Sequence, residues 1–314
     1  MREPQEITFL SSNGQTVVKA DVWCPETEDI RGVVQICHGM GEHMRRYDAF
    51  ARRLCAKGFV VCGDDHLGHG RTAENPEDFG YFGEKDGWRY LVEDEHRMRR
   101  EMQSRFPNLP YFLLGHSMGS FITRQYITQY AQGLSGYICC GTSGPNPLNG
   151  VAILMAHLMI LFRGGCERGN FLSRLAFSKY NSRFGEIKTG HEWLSRDPSS
   201  YEELADDPFM GFVFTNAGFR DLFRLLYNVT GRKWSEKLPQ DLPILFLSGD
   251  MDPVGQYGKG VRKVYELVRA SGAKDVSFTL YPGARHELHH ETNKEEFLTD
   301  VVNWMEKHIA SDRL

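Results

Sequence analysis

Along this chain, short runs of apolar and β-branched residues alternate with longer segments whose apolar positions recur at helical spacing. A hairpin-like start (7–11, then 17–24) is followed by runs at 32–37 (GVVQIC), 59–62 (FVVC), 111–114 (YFLL), 136–140 (GYICC), 244–247 (ILFL) and 276–280 (VSFTL). Each run is closely followed by Gly, Asp or His, and helical patterns at 47–56, 88–106, 118–130, 255–270 and 294–309 separate them. That rhythm predicts an α/β fold, a mostly parallel sheet covered by helices. It breaks once. Between the strand ending near 142 and the strand beginning near 243 lies far more chain than a crossover helix requires, so the spacing predicts an insertion. The expected organisation is a core of residues 1–143 and 241–314, with a helical cap at 144–240 over the carboxyl ends of the strands. Within the cap, 151–162 is strongly apolar, 209–219 is aromatic-rich and 219–229 has helical spacing. No internal repeat or low-complexity tract interrupts the pattern.

Composition narrows the function. With 314 residues, a net charge of -4 and a pI near 6.3, the chain has no broad positive field for phosphates, so nucleic acid is not an expected partner. Seven cysteines, several inside apolar runs, fit buried thiols in a reducing, cytoplasmic setting better than a disulfide framework. The N-terminal MREPQEITFL has no secretory pattern, and the run 151–162 falls short of the roughly 20 residues needed to cross a bilayer. No nucleotide fingerprint, P-loop or metal cluster is apparent, so no cofactor or metal is expected.

The chemistry concentrates in three places. Gly115-His116-Ser117-Met118-Gly119 matches G-x-S-x-G directly after an apolar strand and before a helical segment. A sharp strand-to-helix turn there exposes the Ser117 hydroxyl and leaves the Met118 amide at a helix N-terminus, where an oxyanion is favoured. Such a serine needs a base, and the base needs a carboxylate, in the chain order Ser, Asp, His. Ser248-Gly249-Asp250-Met251-Asp252 follows the run at 244–247 and offers two carboxylates. Asp252 lies farther out on the loop and is the expected partner, with Asp250 a turn residue. His286, beyond the last strand in Tyr281-Pro282-Gly283-Ala284-Arg285-His286, is the expected base.

His286-Glu287-Leu288-His289-His290 also satisfies H-E-x-x-H, the zinc-protease pattern, which requires both histidines on one face of a helix. Pro282-Gly283 interrupts the chain just upstream, so a loop histidine is the preferred reading and His289 and His290 are supporting residues.

Taken together these residues resemble the monoacylglycerol lipase and lysophospholipase group of α/β-hydrolases, within the serine aminopeptidase S33 family. His38-Gly39-Met40-Gly41-Glu42-His43 with Arg46-Tyr47 is similar to its HGxGEHxxRY segment, and Asp65-His66-Leu67-Gly68-His69-Gly70 to its DHxGHGxS segment. Arg71-Thr72 departs from the usual x-Ser there, while GARHELH resembles GAxHxLH. The resemblance implies an α/β-hydrolase fold, a second oxyanion donor from the Met40 amide, and monoacylglycerols or related single-chain lipid esters as substrates. A lysophospholipase, a broad carboxylesterase and an aminopeptidase stay open as alternatives, the last needing an acidic anchor such as Glu202, Glu203, Asp206 or Asp207. His38, His66 and His69 are expected to shape loops. In the cap, Leu154, Leu158 and Leu161 are the candidates for an acyl-chain wall. The same apolar stretch is also expected to pack the lid, or to touch a membrane surface transiently.

Overall fold

The computed structural model describes residues 3–202, 204 and 206–311. The strands are β1 (Gln5–Leu10), β2 (Val17–Trp23), β3 (Gly32–Cys37), β4 (Phe59–Asp65), β5 (Tyr111–His116), β6 (Gly136–Cys140), β7 (Ile244–Gly249) and β8 (Val276–Tyr281). They form an eight-stranded sheet in the order β1-β2-β4-β3-β5-β6-β7-β8. The β1–β2 and β2–β4 pairs are antiparallel, and every later pair is parallel. Strands β3 to β7 are buried at nearly every position, as expected when helices cover both faces, which is why they read as apolar runs and not as alternations.

The covering helices are α1 (Asp48–Ala56), α2 (Gly87–Arg105) and α3 (Met118–Tyr130), then α4 (Asn149–Arg163), α5 (Asn170–Phe177), α6 (Ser199–Glu202), α7 (Asn216–Val229) and α8 (Arg232–Ser235), and finally α9 (Lys259–Ala270) and α10 (Lys294–Ser311). Side chains of one strand alternate between faces. Phe112 and Leu114 pack with Leu54 of α1 and Trp304 of α10, whereas Leu113 between them packs with Val92 of α2 and Ile122 of α3. The strands run farther than their apolar letters indicate: β4 continues through Asp64 and Asp65, and β5 to His116. These polar strand ends carry the loops that build the site. Helix α9 starts at Lys259, later than its periodicity predicts, because the chain turns at Gln256 and Tyr257, both at positive φ.

Helices α4 to α8 lie between β6 and β7, the stretch read as an insertion. α4 lies along α7, and α7 in turn lies on α2 and α3. Thr215 starts α7 by accepting from the Gly218 amide at 3.1 Å, a side-chain cap that satisfies a first-turn donor. Buried Leu172, Phe214, Phe219 and Phe223 of the insertion belong to the same apolar cluster as Leu113, Ile122 and Phe246 of the sheet and its helices. The interior of the insertion therefore continues into that of the sheet. Among the described residues, no helix is long and apolar enough to cross a membrane.

Candidate active site

Ser117 stands between β5 and α3 with φ 54° and ψ -120°, a strained backbone for a residue with a side chain. The flanking glycines are demanded by space. A Cβ at Gly115 would lie 2.1 Å from Thr123 Oγ1, and one at Gly119 would lie 2.0 Å from the carbonyl oxygen of Cys37. Without them the helix could not start so close to the end of β3. The Ser117 amide donates to the Cys140 carbonyl at 3.1 Å, and Ser120 Oγ donates to the Ser117 carbonyl at 2.5 Å, so the turn is held on both sides. The Met118 amide heads α3, where first-turn N–H groups have no partner within the helix.

His286 and Asp252 come together across two loops. A Cβ at Gly249, the last residue of β7, would lie 2.0 Å from the Ala284 carbonyl, so glycine lets the end of that strand touch the histidine loop. His286 Nδ1–H donates to Asp252 Oδ2 at 3.0 Å, and both residues are buried. That bond leaves Nε2 as the ring atom free to take a proton. Asp252 Oδ1 accepts from the Val254 amide at 2.8 Å. Asp250 instead accepts from the Gly283 amide at 2.7 Å, pinning the neighbouring turn.

The loop after β3 passes directly over the serine: a Cβ at Gly39 would lie 3.1 Å from Ser117 Cβ. Met40 follows, half-buried and lining the same cavity as Ser117 and His286. Glu42 holds this loop from within, accepting from the Gly39 amide and from Tyr47 Oη at 2.9 Å. His116 Nδ1 faces the same carboxylate at 3.4 Å, and its Nε2–H donates to the His286 carbonyl at 3.3 Å. Burial opposes ionisation of Glu42, but the His116 hydrogen bond and charge, with Arg46 nearby, hold its carboxyl down at about 2. Burial likewise opposes charge on His116, and the Glu42 bond more than offsets it, raising the imidazole. The residue before the serine thus links the loop after β3 to the histidine loop, a link that only tertiary structure reveals.

Beneath the loop lie the other histidines. His38 Nδ1–H donates to the Gly39 carbonyl at 2.8 Å and its Nε2 accepts from the His66 amide at 3.1 Å. Burial first, then the positive His66 beside it, lower the His38 imidazole well below its usual range. Burial would lower His66 too, but Asp64 at 3.2 Å and Glu95 at 3.5 Å raise it to about 9. His69, buried beside them, donates to the Leu67 carbonyl at 3.0 Å.

Above Ser117 opens a cavity of about 330 Å³, lined mainly by Phe121 of α3, Phe177 at the end of α5, Tyr180 after it, Trp193, Phe212 and Leu222, Phe223 and Leu226 of α7. Ser117 and His286 line it, with Met40 and Met118. Leu154, Leu158 and Leu161, expected to form an acyl-chain wall, do not: they face outward on α4, 60%, 46% and 76% exposed, and the apolar wall of the cavity is formed instead by α7, the end of α5 and the chain after it. The physical reason is that α4 is apolar almost all round, so its spacing does not distinguish the face that Ile153 and Ala156 bury from the face left outside.

The H-E-x-x-H segment is not an α-helix. Leu288–His290 forms a 3-10 turn, Glu287 is ion-paired with Arg46 at 2.5 Å, and His289 stacks on Tyr47 with ring centroids 4.4 Å apart. The facing histidine pair that zinc requires is not formed. Of the acidic anchor candidates, Glu203 lies outside the described residues, Glu202 and Asp206 are exposed, and Asp207 pairs with His43 at 2.9 Å. None of the three described lines the cavity, whose lining carboxylates are Glu42 and Glu287, both beside Arg46.

Comparison with known proteins agrees with this architecture. Residues 28–293 match the family described as serine aminopeptidase, S33. The monoacylglycerol lipase of Mycolicibacterium smegmatis is 29% identical over 97% of this chain and 98% of its own. The mouse (Mus musculus) monoglyceride lipase is 26% identical over 99% of this chain and 95% of its own. Among solved structures, a thermostable carboxyl esterase from Bacillus coagulans, bound to glycerol, superposes with a TM-score of 0.91 at 36% identity, covering 98% of this chain and 100% of its own. The strand-to-helix turn at Ser117, the loop after β3 and the Asp252–His286 pair all fall within the matched span, and the chain belongs to the serine aminopeptidase S33 family of α/β-hydrolases.

Proposed function

We propose that this hydrolase cleaves monoacylglycerols and related single-chain lipid esters through an acyl-enzyme on Ser117. The observation that carries the reading is the apolar cavity ending at Ser117 and His286, whose only lining carboxylates are neutralised by neighbours among the described residues. A cavity of this kind suits an acyl chain and offers no free anchor for a substrate amine. The relatives named as monoacylglycerol and monoglyceride lipases support the same class. The Bacillus coagulans esterase favours a second reading, a broad carboxylesterase. A lysophospholipase is the remaining alternative of this fold.

In the proposed reaction His286 Nε2 takes the Ser117 proton as Oγ bonds to the ester carbon. The negative oxygen forms between the amides of Met40 and Met118. Asp252 keeps the imidazole in the required tautomer and stabilises its positive form. His286 then gives the proton to the glycerol oxygen as the ester C–O bond breaks. Water repeats the sequence on the acyl-enzyme, releasing the fatty acid and restoring the hydroxyl.

In this reading residues 144–240 act as a cap over the cavity, and the exposed leucines of α4 provide an apolar surface for transient contact with a membrane that holds the substrate. A cytoplasmic setting fits the seven cysteines, all of them unpaired. Ser117→Ala is expected to abolish hydrolysis of 1-monooleoylglycerol and labelling by a fluorophosphonate. Labelling retained at another serine would overturn the assignment. A panel of monoacylglycerols, lysophospholipids and short p-nitrophenyl esters separates the lipase from its alternatives by kcat/KM.

A further inference from the structure

The histidine loop is held from two sides, and one of them is the insertion. Arg285, just before the base, donates from one guanidinium nitrogen to the carbonyls of Glu192 and, at 2.9 Å, Ser195. The amide of Glu287, just after it, donates to the Leu194 carbonyl at 2.8 Å. Ser195 Oγ donates to the His290 carbonyl at 3.0 Å. Fully buried Glu291 accepts from the Arg285 amide at 2.8 Å, the Arg196 amide at 3.1 Å and Arg196 Nε at 2.8 Å. The Trp193 ring lies 5.0 Å from that of His286, tilted by 39°, and Tyr180 braces it edge-on at 5.0 Å. Each residue from 192 to 196 therefore touches the segment 285–291.

We propose that residues 192–196 are a strap that positions the base, with Arg285 and Trp193 as positioning residues. This rests on the reading of His286 as the base. From the core, His286 receives one bond at its ring and one at its carbonyl, to Asp252 and His116. Those bonds, with the His116 ring 4.8 Å away, hold the imidazole from the core and leave the face toward the insertion open to tilt. Trp193 covers that face, and the charge-assisted bonds of Arg285 fix the backbone on the insertion side. Catalytic groups lose rate steeply when misplaced by a fraction of an ångström, so the strap acts on turnover and not on substrate affinity. It also divides the insertion: 192–196 must stay with the base, and any movement that admits substrate belongs to the remainder.

The test uses full-length Arg285→Met, which keeps an aliphatic stem near Phe184 but loses every guanidinium donor, and Arg285→Lys, which restores a charged donor. On p-nitrophenyl butyrate, Arg285→Met is expected to lower kcat by about 10- to 100-fold with KM within about twofold, and to slow fluorophosphonate labelling of Ser117 by a similar factor. Arg285→Lys recovers part of the loss. Trp193→Leu, which breaks no hydrogen bond, shows the same fall in labelling and broadens the downfield proton resonance of His286 Nδ1–H. If Arg285→Met does not fold, Trp193→Leu and Ser195→Ala decide the question. Wild-type labelling rates in folded variants would overturn the strap, as would a loss confined to KM or to long-chain substrates. His286→Ala is measured alongside: activity surviving it removes the reading of the base, whereas its loss beside wild-type turnover in Arg285→Met removes the strap alone.

Discussion

Moving a polar group from one side of the insertion to the other separates cavity wall from outer surface. Leu226 on α7 lines the cavity, while Leu158 on α4 is 46% exposed and faces away from it. Glutamine at 226 sets an amide against the acyl chain and deprives about three methylenes of apolar contact. At roughly 0.8 kcal/mol for each, that is about 2.4 kcal/mol of transition-state binding, or roughly 60-fold in kcat/KM. A butyryl ester has only the start of such a chain and is expected to lose less than about threefold. Leu158→Gln, changing a surface already in water, should leave both substrates alike. The assay is kcat/KM for C4 and C12 monoesters, held below the concentration at which the longer one aggregates so that adsorption to an interface does not enter. Only variants melting close to wild type are compared. Equal losses on C4 and C12 in Leu226→Gln, or a larger chain-length shift in Leu158→Gln, would refute the assignment of the wall to α7.

Two further outcomes are expected. Asp252→Asn should lower turnover by about 10⁴-fold through loss of the correct imidazole tautomer, while Asp250→Asn, which weakens a turn bond to Gly283, should change it far less; the reverse order in folded variants would make Asp250 the orienting carboxylate. His66, held at about 9 in the fold against an ordinary 6.5, contributes stability that is complete below pH 6.5 and is lost as pH rises through 9. The loss is on the order of 3 kcal/mol, or about 5 °C in melting temperature between pH 7 and 9.5. A melting profile equally steep in His66→Asn would show that another group is responsible.

The parts of the site written in adjacent residues, with the Asp252–His286 pair that the order Ser, Asp, His points to, are the parts legible in the sequence. Gly115 and Gly119 flank Ser117 at the spacing a tight strand-to-helix turn requires, and the apolar run before it marks β5. The strand rhythm carries the parallel sheet for the same reason, since each run is buried within itself. What was illegible depends on pairs far apart in the chain. Glu42 beside His116, Arg46 beside Glu287 and Trp193 on His286 each join segments whose approach no local pattern encodes. Helix α4 failed for another reason: with leucine, methionine and isoleucine on nearly every side, it carries no periodic mark of its inner face. In the H-E-x-x-H segment the letters of a metal motif occur without the helix that gives them meaning, because Glu287 and His289 are engaged by Arg46 and Tyr47.

The unbroken apolar interior that runs from the insertion into the helix-covered face of the sheet bears on how such an enzyme diversifies. The two share one apolar cluster, so the insertion is not an interchangeable part. A transplanted insertion would bring foreign side chains down onto α2 and α3 at the places where Phe219, Leu222 and Phe223 now sit, and the fit would have to be found again. In the proposed reading, a change of substrate range falls to single replacements along α7, each weighed at once against the packing of the whole molecule.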